Sequence, residues 1–182
     1  MNRDYTVFLK KRLTPHFING IVLLIKQYPE DMDTVYRLMY DPDTTVSWRA
    51  AWACEKLCAE FPEWFLDKRD ELMKYALGHP HEGTKRLILS ILNKLPVTKP
   101  ISIPFLNACF EGMFSPEEPA AVQTLYMKLS YRLCMEEPEL LPELQMLLES
   151  TNPEYYSTAV RTARKNMLLR INKTKKKCFQ KN

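Results

Sequence analysis

Prolines divide this chain at a nearly constant interval, and that interval constrains the fold more than any other feature. Pro42, Pro80, Pro116 and Pro153 are separated by 38, 36 and 37 residues. Each stands before a segment of helical hydrophobic period with a polar residue at a similar offset: Arg49, Arg86, Gln123 and Arg161. A second proline series, Pro62, Pro96 and Pro138, follows the first three of these polar residues by 13, 10 and 15 positions. Inside a helix, proline removes a hydrogen bond and clashes with the preceding turn, so regularly placed prolines mark helix ends. Two such marks per period describe a repeated helix pair. The expected fold is all-α, a superhelix of about four stacked antiparallel pairs.

The remaining composition agrees with helices. Four glycines in 182 residues are too few for a hairpin-rich fold, and no alternating β-branched run lies between Asn-Gly or Asp-Gly turns. The period predicts helices over residues 15–28, 31–40, 45–61, 63–78, 82–95, 104–114, 118–136, 139–150 and 154–172. Within 45–61, Val46, Ala50, Ala53, Cys54, Leu57 and Phe61 fall on one face, and Ala50, Ala51 and Ala53 leave room for a neighbouring helix. Within 63–78, Phe65, Leu66, Leu72, Met73, Tyr75, Ala76 and Leu77 supply the apolar side. A single pair cannot cover such faces, so each repeat relies on its neighbours for a core.

Charge is divided unevenly. Residues 1–160 hold 17 Lys and Arg against all 22 acidic residues, a net charge of −5. From Arg161 onward there are nine basic residues and no acidic one. We therefore read residues 1–172 as the helical repeat domain and 173–182 as a basic tail that frays. The longest apolar run near the start, Ile21 to Ile25, falls far short of the ~18 residues a membrane span needs. Five cysteines, an odd number placed mostly within helical patterns, suit a reducing compartment. The expectation is a cytoplasmic protein with no membrane segment.

The segment Leu38-Met39-Tyr40-Asp41, followed by Val46-Ser47-Trp48-Arg49-Ala50-Ala51-Trp52-Ala53-Cys54-Glu55-Lys56-Leu57, resembles the unit of the HEAT repeat family. In that family a turn Asp commonly bonds the Arg of a second helix, which implies Asp41 or Asp43 with Arg49. Arg86 and Arg161 stand at the matching place, whereas Gln123 departs from it. His79, Ser115 and Asn152 replace the turn Asp in the other three repeats. The resemblance also implies that second helices line a concave wall. Aligning repeats on Arg49, Arg86, Gln123 and Arg161 puts Trp52, Leu89, Tyr126 and Arg164 in one column, with Trp48 one turn before Trp52.

The candidate partner-binding residues are therefore Trp48, Arg49, Trp52, Arg86, Tyr126, Arg161 and Arg164. Aromatic and Arg side chains are the types that anchor interfaces, and the large ones serve equally well in packing between adjacent repeats. The favoured reading is a non-enzymatic scaffold that binds a protein partner through its concave face. The alternative is a nucleic-acid-binding protein using Lys175, Lys176 and Lys177 of the basic end on phosphate. The bland account of that end is a solvated tail that favours the helix dipole.

Trp48, Arg49 and Trp52 also bear a superficial likeness to the groove of HEAT-like glycosylases that repair alkylated DNA, but no matching carboxylate motif accompanies them. No Gly-rich phosphate loop, nucleophile elbow or paired-histidine zinc helix is present. His79-Pro80-His81-Glu82 and the pair Cys54 and Cys58 have no second ligand pair at zinc-site spacing. No catalytic residue, metal or cofactor is expected.

Overall fold

The computed structural model describes residues 3–11, 16–78 and 81–179, with side chains through residue 174. Of the histidine pair weighed above, His79 lies outside the described residues, as do the side chains of Lys175, Lys176 and Lys177. Every regular element among the described residues is helical. In chain order these are α1 (Tyr5–Lys10), α2 (Phe17–Gln27), α3 (Met32–Arg37), α4 (Thr44–Glu60), α5 (Arg69–Gly78), α6 (Glu82–Lys94), α7 (Ile103–Gly112), α8 (Ala120–Glu136), α9 (Leu141–Ser150) and α10 (Thr158–Phe179). They form two compact units, residues 1–95 and 96–182.

The prolines act as the sequence predicts. Tyr28, Phe61 and Glu137 end α2, α4 and α8 with φ of −134°, −131° and −126°, and each precedes a proline. A residue before proline is pushed out of the helical region by the pyrrolidine ring. The proline then opens a short 3-10 turn, at Pro29–Asp31, Pro62–Phe65 and Pro138–Leu140. Starts are fixed by side chains. Asp43 Oδ1 accepts from the N–H groups of Thr45 (2.9 Å) and Val46 (3.4 Å), capping α4. His81 Nδ1 does the same for Thr84 N–H at 3.1 Å, capping α6.

In the first unit α3 and its following 3-10 turn pack on α4, α5 packs on α6, and α4 lies along α6. Helices α1 and α2 both pack on α4. In the second unit α7 packs on α8, α9 packs on α8 and α10, and α8 lies along α10. Helices α4 and α6, and α8 and α10, are thus the second helices of four pairs.

Three expectations change. Helix α1 has no counterpart among the expected elements. The predicted helix over 63–78 is broken, with Phe65 buried in the 3-10 turn and Leu66 and Leu77 exposed. At the other end, α10 runs on to Phe179, past the fraying expected from residue 173.

The two units share one internal layout at an offset of 76 residues. Helices α4 and α8 each have 17 residues, starting at Thr44 and Ala120. Their buried residues coincide at this offset: Val46, Ser47, Ala50, Ala51, Ala53, Cys54, Leu57 and Cys58 match Val122, Gln123, Tyr126, Met127, Leu129, Ser130, Leu133 and Cys134. Likewise Thr84, Ile91 and Leu95 of the α6 segment match buried Val160, Met167 and Ile171 of α10. The register of the repeat is set by this buried stripe. Aligning on the turn prolines pairs Arg49 with Gln123, two residues out of step; the stripe pairs Arg49 with Leu125 and Trp52 with Lys128.

Candidate interaction surface of the second helices

On α4 the eight buried residues fill one arc, and Thr45, Trp48, Trp52, Lys56 and Ala59 occupy the opposite side. Trp52 sits near the middle of that open side, and its ring lies 5.6 Å from that of Trp48, one turn earlier. Both indoles are half-buried. Trp48 owes its burial to α6: a Cβ placed on Gly83 would lie 3.1 Å from two of its ring atoms. The missing side chain at Gly83 lets the indole settle on the start of α6, so Trp48 packs helix against helix while Trp52 is left on the open face.

Arg49 does not bond either turn aspartate. Its Nη1 donates to the backbone oxygens of Leu9 and Lys11, both at 2.6 Å. These are carbonyls at the end of α1, which have no partner within their own helix. Asp43 is occupied as the α4 cap and faces Lys10 Nζ at 3.4 Å, while Asp41 Oδ1 accepts from Asp43 N–H at 2.8 Å. The expected turn Asp–Arg pair is thus replaced by a charge-assisted cap that fastens α1 to α4.

Arg164 performs the same task in the second unit, donating to Leu148 O from Nε and to Glu149 O from Nη2 at the end of α9. Gln123 Nε2 donates to Ser115 O at 2.7 Å, in the turn after α7. Arg49, Gln123 and Arg164, three of the polar residues that the repeat alignment singles out, therefore close helix ends or turns. Arg86 and Arg161 differ: both are exposed, Arg161 with its Nη2 donating to Thr158 Oγ1 at 3.2 Å within its own helix, and Arg86 on α6.

Tyr126 offers a partner no surface. It is buried against α7, where a Cβ on Gly112 would lie 2.4 Å from its Cε2. Burial raises its phenol pKa above the ordinary range. Leu89 is also fully buried. The expected column of Trp52, Leu89, Tyr126 and Arg164 therefore dissolves, leaving Trp52 as its one member on an open face.

The open faces of the two units differ in charge. Between α4 and α6, the Glu55 carboxylate receives Ser90 Oγ at 2.9 Å and Lys94 Nζ at 2.5 Å. Burial tends to raise the Glu55 pKa, but these two hydrogen bonds outweigh it and hold the carboxylate below its usual range. At the offset of 76, Tyr131 stands in place of Glu55 and Arg170 in place of Lys94. The Tyr131 hydroxyl lies 3.3 Å from Thr174 Oγ1 of α10. Lys128 and Arg132 of α8 belong to this face too, a contribution that the sequence reading assigned to α10 and the tail alone.

The four described thiols, Cys54, Cys58, Cys109 and Cys134, are free and buried, and burial pushes Cys58 up to about 11. No described helix is long and apolar enough to cross a membrane. Among described residues, no group of three or more His, Cys, Asp and Glu is arranged to hold a metal ion.

Comparison with known proteins gives one result. The family model of the HEAT repeat domain matches residues 5–171, from the start of α1 to Ile171 of α10. No curated protein and no solved structure matches the chain. Stacked helix pairs, proline-marked ends and that match agree: the chain belongs to the HEAT repeat family.

Proposed function

We propose that this chain is a non-enzymatic scaffold that binds a protein partner through the open faces of its second helices. Family membership supports the coarse reading, because helical repeats stack to present extended binding surfaces. The observation that carries the finer reading is the Trp48–Trp52 pair. The matching positions in α8 are Thr124 and Lys128, in a helix with the same buried stripe, so packing of the layout does not require indoles there. Trp52 has the chemistry of an interface anchor, a large rigid apolar surface with one N–H donor.

The test is affinity capture from the source cell with the full chain and with Trp52→Ala, followed by identification and reconstitution of the captured protein. The scaffold reading expects a defined protein whose affinity falls at least tenfold with Trp52→Ala. Unchanged affinity for a folded variant sinks the assignment of this face.

A further inference from the structure

The second unit carries three exposed cations, Lys128, Arg170 and Lys173, on the open side of α8 and α10. Lys128 lies near the middle of the open side of α8, matching Trp52 of α4, and Arg170 and Lys173 lie on α10 beside Thr174, which meets Tyr131 of α8. All three are exposed, and none enters an ion pair among the described residues. The matching place in the first unit shows what neutralisation looks like: Lys94, the counterpart of Arg170, is held by Glu55. At the place of that carboxylate the second unit has Tyr131, so Arg170 has no counterpart of Glu55 on α8. From Arg161 to the end of the chain no acidic residue is available to compensate.

This face is not only cationic. Met135, two turns beyond Lys128 on the same side of α8, is 39% exposed, and Leu169, next to Arg170, is 59% exposed. A bare phosphate backbone gains nothing from Met and Leu side chains, whereas a peptide with apolar residues between its carboxylates gains from both. Charge complementarity selects an acidic ligand, and the apolar positions add contacts that a phosphate backbone does not use and a peptide with apolar side chains does.

We propose that the α8–α10 face binds an acidic segment of a partner protein in which apolar side chains are interleaved with Asp or Glu. The proposal deepens the scaffold reading and rests on it, but it involves different residues in a different unit.

Fluorescence anisotropy with the full chain tests it. The probes are a labelled 16-residue peptide of Glu with Leu at every third or fourth position, an oligoglutamate of equal charge, and a single-stranded DNA 20-mer. The expected result is binding of the Glu/Leu peptide at least tenfold tighter than the other two. Lys128→Glu with Arg170→Glu should weaken it more than tenfold. Met135→Ser with Leu169→Ser should weaken it severalfold while leaving oligoglutamate binding unchanged. Circular dichroism verifies that each variant is folded; these positions are exposed, and if a double variant unfolds the single Arg170→Gln and Leu169→Ser variants replace it. Equal affinity for all three probes, stronger binding of DNA, or no binding at low salt overturns the proposal. A negative result here combined with Trp52-dependent capture would leave the scaffold reading intact; loss of both would remove it.

Discussion

Substituting Gly112 by Ala tests the packing of the second unit at its tightest point. A Cβ at this position would lie 2.4 Å from Cε2, 2.7 Å from Cδ2 and 3.2 Å from Cζ of Tyr126. Ordinary carbon contacts begin near 3.5 Å, so the ring or the end of α7 must retreat by about 1 Å. Tyr126 is only 3% exposed and sits mid-helix in α8, so that retreat displaces core neighbours. Overpacking of this kind costs roughly 1–3 kcal/mol, set against at most about 1 kcal/mol gained from replacing glycine in a helix. Gly112 is the last residue of α7, where the helical gain is smaller. The expected net effect is a loss of about 1–2 kcal/mol.

Gly20 is the control. It is an exposed residue within α2 with nothing within 4 Å of its would-be Cβ. There Gly20→Ala has only the backbone term and should gain about 0.5–1 kcal/mol. Urea denaturation followed by far-ultraviolet circular dichroism measures both, with unchanged m-values as the condition for comparison. A double-mutant cycle assigns the cause: with Tyr126→Ala in place, Gly112→Ala should lose its penalty. If Gly112→Ala stabilises the chain as Gly20→Ala does, or if its penalty survives removal of Tyr126, the steric reasoning is refuted.

Two further predictions concern the polar fastenings. Arg49→Ala removes the Nη1 that donates both hydrogen bonds to the end of α1 and should cost about 1.5–3 kcal/mol, the range for hydrogen bonds to a charged group. Hydrogen exchange should rise selectively over residues 5–11, and Arg49→Lys should restore only part of the protection because it lacks the planar fork. The Glu55 carboxylate has a folded pKa below its unfolded value, so its stabilisation is present above the unfolded pKa, near about 4.3, and is lost as pH falls through the lower folded pKa. Denaturation midpoints from about pH 7 to pH 3 should therefore fall less steeply for Glu55→Gln than for the natural chain, and equal slopes would refute the assignment.

Much of the helix layout can be read from the sequence because the signals are local. Tyr28-Pro29, Phe61-Pro62 and Asn152-Pro153 each end or open an element where the prolines place it, and Asp43 caps α4 from the adjacent position. The register between repeats is less legible because it is not carried by the turns. Between Tyr40 and α4 lie three residues, whereas seven separate Gly112 from α8, so the turn prolines stand at different distances from the helix starts. A better marker exists in Leu57-Cys58-Ala59-Glu60-Phe61-Pro62-Glu63 and Leu133-Cys134-Met135-Glu136-Glu137-Pro138-Glu139, which coincide at 76 residues. Helix α1 is illegible for a different reason. Six residues are too few to hold a helix by propensity, and this one depends on burial of Tyr5 and Leu9 and on Arg49, 38 residues beyond Lys11. Roles such as that of Arg49 follow from which helix end lies within reach, and a single sequence does not encode that reach locally.

The shared buried stripe leads to a last prediction about the open faces. If packing fixes only the inward positions, residues opposite the stripe are free to differ without loss of fold, and α4 and α8 differ there by an indole against an ammonium group. Lys128→Trp places the larger side chain on an exposed position and should change stability by less than about 0.5 kcal/mol. Trp52→Lys loses the contact with Trp48, worth about 0.5–1.5 kcal/mol, while the aliphatic stem of lysine covers part of the vacated surface. Its cost should therefore stay below about 1.5 kcal/mol. The two variants should nevertheless exchange binding character: Lys128→Trp should weaken the acidic Glu/Leu peptide, and Trp52→Lys should abolish capture of the partner. A loss above about 3 kcal/mol for Trp52→Lys would mean that the indole is a core residue of the first unit, and its role as a binding anchor would then fail on energetic grounds.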